Sequence, residues 1–205
     1  MLHVYLRQGP DVTDEQLATF LGNIHAGGVC STGTALVNTL YLLNLHPEVM
    51  DKLTAQLRAL VRDRPEEQRR QHDYAPVPLF FRNVRKDRPA RLAGRDLSPD
   101  TVVAVVVRGV HRSARYWKDP DRFDPGRWAG GAAAAGLEGD TFFPFGRGLR
   151  ACVGAGFAIF CLRVMLAALL SRSRVVIDPN TPYRQSFHCG VGEPKRIMGR
   201  FVPHQ

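Results

Sequence analysis

One short segment restricts the fold of this chain more than any other: a glycine-rich loop with a cysteine that leads directly into an apolar helix. The segment runs from Phe143 to Gly154 and reads FPFGRGLRACVG. Its three glycines allow the backbone to turn tightly and to approach a flat ligand closely. Cys152 stands just before the predicted helix start, where backbone N–H groups and the helix dipole favour a thiolate. A cysteine in this setting is suited to binding iron.

The other three cysteines lack such a pattern. Cys30, Cys161 and Cys189 lie far apart, and no two cysteines of the chain form a CxxC pair. Paired zinc ligands and a dense disulfide framework are therefore not expected. Cys161 and Cys189 are expected to be small apolar residues, as most free cysteines are.

The charge of the chain narrows its range of partners. Lys and Arg number 28 against 19 Asp and Glu, a formal net charge of +9. Such a surface favours an acidic protein, nucleic acid, anionic lipid or a ligand that carries carboxylates. The sequence has no basic run interleaved with aromatic residues and no zinc-finger or RNA-binding signature. A nucleic-acid partner therefore rests on charge alone and is not expected.

The sequence predicts neither a secretion signal nor a membrane segment. The residues after Met1 lack the apolar core of a signal peptide. The most apolar stretch, 156–170, is short for a membrane span and contains Arg163. A reducing, cytoplasmic location is expected.

Two consecutive helices are predicted in the first third of the chain. Thr13 and Gln16 have the spacing of a capping box, and apolar residues recur at helical spacing up to Pro47. The first helix is therefore expected over 11–46. Pro47 suits the first turn of a second helix, which is expected over 47–64.

The first helix contains an unusual number of glycines. Each interior glycine costs about 1 kcal/mol relative to alanine. Either something bulky passes close to the backbone, or the helix is kinked at these positions. The glycines are Gly22, Gly27, Gly28 and Gly33.

The fold class predicted for the whole chain is mixed, mainly α-helical with small β-sheets. β-Branched residues predict strands at 77–82 and 101–108. The other expected segments are a polar turn or loop at 66–73, a small sheet over 76–110, an irregular connection over 111–142, the cysteine loop over 143–154, a helix over 155–171 and strands over 172–205. We expect 1–205 to form a single domain.

The cysteine loop resembles the heme-binding loop of the cytochromes P-450. It agrees with that loop at six fixed positions: Phe145, Gly146, Gly148, Arg150, Cys152 and Gly154. The resemblance implies that Cys152 is the axial ligand of the iron of heme b. It further implies that Arg150 pairs with a heme propionate and that Phe145 lies against the heme, with Gly146 and Gly154 completing the cofactor-binding loop.

Segments upstream of the loop add to the resemblance. Residues 116–128 resemble the meander of this family, and His111-Arg112 also fits its pattern. Residues 76–82 resemble the strand whose arginine reaches a heme propionate. Arg82 is therefore the second expected anchor, since a guanidinium can bind a carboxylate through two hydrogen bonds.

The first helix resembles the distal, oxygen-binding helix of the family, with its motif at residues 27–31. The resemblance implies that Gly27 and Gly28 open a groove over the heme. Cys30 and Ser31 then occupy the catalytic relay positions for oxygen and protons, where the family usually has an acid followed by threonine. Serine keeps a hydroxyl, whereas cysteine is a poor proton relay.

A Glu-x-x-Arg brace is expected in this family shortly before the Arg82 strand. Glu67 and Arg70 are the matching residues, but they lie about two residues too far from that strand. Whether they replace the brace stays open. Arg122, the usual partner of the brace, could instead pair with Asp119 or Asp121.

The resemblance runs from about residue 11 to the end and implies the C-terminal half of the cytochrome P-450 fold, as one partial domain. The implied function is a heme-thiolate monooxygenase that hydroxylates a small organic substrate. Electrons would come from an acidic ferredoxin, flavodoxin or reductase docked on basic residues. These residues are Arg112, Arg115, Lys118 and Arg147. A truncated or degenerate remnant without monooxygenase activity, and a peroxide-driven or isomerase-like variant, are open alternatives.

Overall fold

The computed structural model describes residues 13–60, 76–128, 141–188 and 190–204. The helices are α1 (Asp14–Leu45), α2 (Pro47–Leu60), α3 (Val107–His111) and α4 (Ala155–Arg172). The strands are β1 (Phe80–Asn83), β2 (Ala90–Leu92), β3 (Arg95–Leu97), β4 (Val102–Val105), β5 (Ser173–Ile177), β6 (Gln185–His188), β7 (Val191–Pro194) and β8 (Gly199–Pro203). The predicted class, mainly helical with small sheets, is confirmed.

Helix α1 begins at the predicted capping box. The Gln16 amide donates to the Thr13 hydroxyl oxygen at 3.2 Å, and the Thr13 amide donates to the Gln16 side-chain oxygen at 3.1 Å. The helix continues without interruption through its four glycines to Leu45. The amide of His46 then donates to the Leu42 carbonyl, and Pro47 begins α2.

The core lies where α1, α2, α4 and β5 meet. Each helix contributes apolar side chains to this core, and burial of such side chains supplies about 1.5–3 kcal/mol each. The buried residues of this cluster are Leu40, Leu43, Met50, Leu53, Leu170, Val175 and Ile177. The core therefore joins the second half of α1 to the second half of α4.

The strands form two-stranded antiparallel sheets, pairing β1 with β4, β2 with β3, β5 with β8 and β6 with β7. The β2–β3 hairpin was not predicted. Its turn consists of Ala93 and Gly94, with φ of 48° and 79°. Two consecutive positive φ values are typical of the type I′ turn that closes a tight hairpin.

The strand prediction for 101–108 is wrong at its C-terminal end. Pairing ends with Phe80 opposite Val105, and residues from Val107 onward form α3. The partner strand sets this limit, because Pro78 lies just before it and has no N–H to donate to a ladder. The Pro78 carbonyl instead accepts from the Arg108 amide at 3.0 Å.

Helix α4 exposes much of its apolar surface. Phe157, Phe160 and Val164 are 70%, 62% and 50% exposed. With 18 residues and a mean hydropathy of 1.7, the helix is long and apolar enough to cross a membrane, although core helices of soluble proteins pass the same test. The helix extends beyond the apolar stretch 156–170, which was expected to be too short to span a membrane.

Several expectations lie outside the described residues. The end of the second predicted helix, the polar segment 66–73, and the pair Glu67 and Arg70 all fall within 61–75. Cys189 and part of the long connection, 129–140, also lie outside.

Candidate functional site

The cysteine loop is a closed turn stabilised by backbone hydrogen bonds. The Gly146 amide donates to the Phe143 carbonyl at 3.0 Å, and the Cys152 amide donates to the Phe145 carbonyl at 2.8 Å. Gly146 and Gly148 have φ of +70° and +69°, which side chains on L-residues disfavour. Gly146 and Gly148 are therefore required by the path of the backbone.

Cys152 lies on the exposed side of this turn, two residues before Gly154, the N-cap of α4. Its carbonyl accepts from the Ala155 amide at 3.4 Å, so the residue is coupled directly to the first turn of the helix. A Cβ atom added at Gly154 would lie 3.9 Å from the Cys152 sulfur. A side chain at 154 would thus come into van der Waals contact with the sulfur, a contact that glycine does not make.

Large, exposed apolar side chains lie near Cys152 in the sequence. Leu149 is fully exposed, and Val153 and Phe157 are 73% and 70% exposed. Arg150 is also exposed beside them. A sulfur ligand, apolar surface and a cation together match a flat, mostly apolar cofactor that carries a metal and carboxylates.

The described part of the chain offers no group of three or more His, Cys, Asp or Glu side chains that could hold a metal ion. Cys152 would therefore bind a metal that has its other ligands in a cofactor, as the iron of heme does. Cys30, Cys152 and Cys161 are all free thiols. The residues of the loop fit heme better than a metal site built from protein ligands.

An aromatic cluster adjoins the start of the loop. His111, at the end of α3, has its ring centroid 5.3 Å from that of Phe142 and 5.2 Å from that of Phe143. Trp117 and Trp128 pack against Phe142 at 6.0 Å and 4.6 Å. The sequence matched His111 and Trp117 to a family pattern but gave no indication that they pack together beside the cysteine loop.

His111 is 1% exposed, and its burial lowers the pKa to about 4. The Phe143 amide donates to its Nε2 atom at 3.2 Å. Desolvation disfavours the charged imidazolium, which explains the direction of the shift. The ring is therefore neutral at pH 7.

One arginine stabilises the meander through hydrogen bonds to its backbone. The guanidinium of Arg127 donates to three backbone carbonyls within 118–122 at distances of 3.0–3.2 Å. Asp121 pairs with Arg112, whereas the sequence offered it as an alternative partner of Arg122.

Arg82, the second expected anchor, lies on β1 with an exposed side chain. Its guanidinium donates to the Phe81 carbonyl at 2.8 Å and lies 4.4 Å from the centre of the Phe80 ring. The side chain is thus folded along its own strand.

On α1, the two glycines of the expected groove lie on an exposed part of the helix. A Cβ atom added at Gly27 or Gly28 would meet nothing within 4 Å beyond the helix itself. The Ser31 hydroxyl donates to the Gly27 carbonyl at 2.6 Å, and Cys30 is exposed.

The predicted site residues form three separate groups. Those of the cysteine loop share one backbone turn, whereas Arg82 lies on β1 and the relay residues lie on α1. The Arg82 guanidinium donates to its own strand, and the Ser31 hydroxyl donates to its own helix. The core joins α1 to α4 near Leu170, at the opposite end of α4 from Cys152.

Comparison with known proteins gives consistent results. The family model described as cytochrome P-450 matches residues 3–198. A mouse protein, cytochrome P-450 4F3, is 29% identical over 196 residues, which cover 86% of this chain and 37% of that protein. The pig taurochenodeoxycholic 6 alpha-hydroxylase is 26% identical over 196 residues, covering 88% of this chain and 38% of that protein.

Solved structures show the same fold. The heme domain of cytochrome P-450DA superposes with a TM-score of 0.82 at 20% sequence identity, covering 97% of this chain and 47% of that one. The chain therefore spans about half of that solved domain, and little more than a third of the curated relatives that it matches.

Proposed function

This chain belongs to the cytochrome P-450 family, and on that basis we propose that it acts as a heme-thiolate oxidoreductase that hydroxylates a small organic substrate. One oxygen atom of O2 would enter a C–H bond and the other would leave as water, with two electrons and two protons supplied. The observation that carries the proposal is the exposed Cys152 thiol on a loop closed by glycines of positive φ.

The proposed cofactor is heme b, with Cys152 as the axial ligand of its iron. Bound heme supplies the oxygen and redox chemistry, and a thiolate ligand favours O–O cleavage. Leu149 and Val153 offer apolar contact to the porphyrin, and Arg150 offers a charge to a propionate. Arg82 could join Arg150 in this role only if its guanidinium leaves the Phe80 ring.

On the distal side, we propose that Gly27 and Gly28 leave room for oxygen and substrate. Ser31 already donates its hydroxyl hydrogen to the Gly27 carbonyl. Its oxygen can then accept a hydrogen bond, but its proton is held by the backbone. Cys30 beside it is a weak donor.

This arrangement favours one alternative, a peroxide-driven variant of the same chemistry. Peroxide brings both oxygen atoms already reduced, so it needs neither the redox partner nor the full proton relay. Comparing turnover with hydrogen peroxide against turnover with O2 and a reduced ferredoxin distinguishes the two. Product with peroxide alone supports the variant, whereas product only with the ferredoxin supports the monooxygenase.

The proposed electron donor is an acidic ferredoxin, flavodoxin or reductase. Arg115 and Lys118 are exposed in the meander, and complementary charge accelerates the encounter of such partners. A reducing, cytoplasmic location belongs to the proposal, since disulfides are rare in that compartment and the sequence does not suggest a disulfide framework.

The test of heme binding is the carbon-monoxide difference spectrum of the reduced chain after addition of heme. A strongly red-shifted Soret band is expected for the wild type and should be lost in Cys152→Ala. Cys161→Ala is the matched control, because Cys161 lies half-buried within α4 and away from the loop. A folded wild-type chain that lacks the band, or a band that survives in Cys152→Ala, would contradict the proposal.

A further inference from the structure

The buried histidine at the end of α3 accepts a hydrogen bond from a backbone amide of the cysteine loop. His111 is 1% exposed, and its Nε2 atom lies 3.2 Å from the Phe143 amide nitrogen. A backbone amide can only donate, so Nε2 must be the acceptor and the proton of the neutral ring lies on Nδ1. An imidazolium has no acceptor and could not make this contact.

Beyond Phe143, the contact is continued by two further hydrogen bonds. The Phe143 carbonyl accepts from the Gly146 amide at 3.0 Å. The neighbouring Phe145 carbonyl accepts from the Cys152 amide at 2.8 Å. The histidine is thus linked to the backbone of the thiol residue through one short stretch of chain, 143–146.

On its other side, His111 is anchored in the body of the fold. Helix α3 follows directly on β4, and its Arg108 amide donates to the Pro78 carbonyl at 3.0 Å. The Arg112 amide closes the end of α3 on the Arg108 carbonyl at 3.0 Å. The ring of His111 therefore connects a sheet-anchored helix to an otherwise exposed loop.

The surrounding rings fix the orientation of the imidazole. Trp117, which is 3% exposed, approaches it edge-on at 6.3 Å between centroids. The Phe142 and Phe143 rings lie 5.3 Å and 5.2 Å away. Because rings pack on several sides of the imidazole, its Nε2 atom stays directed at the Phe143 amide. A flexible side chain would not hold an acceptor in this way.

We propose that His111 is a positioning residue for Cys152: it accepts from the Phe143 amide and so holds the loop in the conformation that presents the thiol. This inference deepens the heme-thiolate function proposed for the chain, and its consequence for heme rests on that function. The hydrogen-bond network itself is a property of the polypeptide and can be tested without heme.

The first experiment measures amide hydrogen exchange in the heme-free chain with His111→Phe. Phenylalanine keeps an aromatic ring but removes the acceptor. Loss of a hydrogen bond of about 1–1.5 kcal/mol corresponds to roughly tenfold faster exchange. We expect this acceleration at Phe143, Gly146 and Cys152, measured relative to amides near Leu170 in the core.

Two further variants separate the hydrogen bond from packing. His111→Gln places an amide oxygen near the position of Nε2 and should restore much of the protection. Trp117→Phe disturbs the same cluster but leaves the acceptor in place, so it should not affect the three loop amides selectively. Equal acceleration of loop and core amides in His111→Phe, or none, would overturn the inference.

The second experiment records the carbon-monoxide difference spectrum of the same variants with heme. We expect a smaller red-shifted band in His111→Phe than in the wild type, with partial recovery in His111→Gln. A full band in His111→Phe would overturn the positioning role. If the wild type itself lacks the band, the heme function fails, while the exchange experiment still decides whether His111 holds the loop.

Discussion

The Cys152 amide nitrogen lies 2.8 Å from the Phe145 carbonyl oxygen, and this hydrogen bond closes the loop that carries the thiol. The closure requires Gly146 and Gly148 to adopt φ of +70° and +69°. The turn therefore demands an unusual backbone conformation at two positions. Both are glycines, which adopt positive φ with little loss of free energy.

Gly148→Ala should destabilise the chain by about 1–2 kcal/mol, the usual penalty for a left-handed L-residue. A Cβ atom at this position would meet nothing within 4 Å, so the cost arises from φ and not from a clash. Gly156→Ala is the matched control, since Gly156 is helical and also has open space around it. The control should gain up to about 1 kcal/mol. Urea unfolding measures both, and a change of equal sign would contradict the explanation.

Gly28→Ala should stabilise the heme-free chain yet weaken heme binding. Its added Cβ atom meets nothing within 4 Å, so helix propensity alone predicts a gain of up to about 1 kcal/mol. If Gly28 lines the space over the heme, crowding of about 1–3 kcal/mol should lower heme affinity by about fivefold or more. Heme titration followed by absorbance measures the affinity.

Gly22→Ala provides the control on the same helix. Gly22 also has nothing within 4 Å of an added Cβ atom, but it lies more than one turn before the motif. It should give the same gain in stability with unchanged heme affinity. Equal affinities for the two variants would rule out a groove at Gly28.

Stability should fall with acidification because of His111. Its pKa is lowered to about 4 by burial, whereas an unfolded histidine titrates near 6.5. The unfolded chain therefore binds the extra proton between these two values, so the free energy of unfolding decreases as the pH falls from about 6.5 to 4. One proton contributes at most about 1.4 kcal/mol per pH unit. The charged residue next to it in sequence, Arg112, pairs with Asp121.

Urea unfolding at several pH values tests this dependence. His111→Gln should lose the component between pH 6.5 and 4, and its curve should be flatter than that of the wild type. His25→Gln, which removes an exposed histidine of α1, should keep the wild-type slope. The same slope in all three chains would contradict the assignment to His111.

Local sequence patterns predicted the features that depend on neighbouring residues, such as helix starts and tight turns. The features that were not predicted depend on contacts between residues far apart in the sequence. The Thr13 capping box fixes the start of α1 through residues three apart, and the loop glycines fix their own turn. In contrast, the strand after residue 101 ends early because of Pro78, which precedes its partner. The role of His111 depends on Phe143, which is 32 residues away in sequence. Helix and strand patterns are recognised over stretches of about 11–18 residues, which are too short to contain both members of this pair.

Reversing the charge of the meander should slow the reduction of bound heme by an acidic ferredoxin. Arg115→Glu with Lys118→Glu replaces two exposed cations, and loss of electrostatic steering lowers association rates by about tenfold or more at low ionic strength. The rate should approach that of the wild type as salt is added. Arg88→Glu with Arg95→Glu is the control, since it changes the net charge by the same amount at two exposed residues outside the meander. Equal slowing in the control would show that only net charge matters, not this surface.

Asn38 and Tyr183 join the middle of α1 to the C-terminal segment. Asn38 is fully buried, and its Oδ1 atom accepts from the Tyr183 hydroxyl at 2.9 Å. The hydroxyl oxygen in turn accepts from Gln185 Nε2 at 2.9 Å. The Tyr183 ring also packs 4.8 Å from that of Tyr41. A buried amide in a helix is thus compensated by a partner 145 residues away in sequence.

Tyr183→Phe should therefore lower the free energy of unfolding by about 1–3 kcal/mol, because it keeps the ring but removes a hydrogen bond to a buried acceptor. Tyr116→Phe is the control: Tyr116 is 42% exposed, and surface changes of this kind stay within about 0.5 kcal/mol. Asn38→Leu combined with Tyr183→Phe should lose less than the sum of the single changes, since both remove the same bond. Strictly additive losses would show that the two side chains contribute independently.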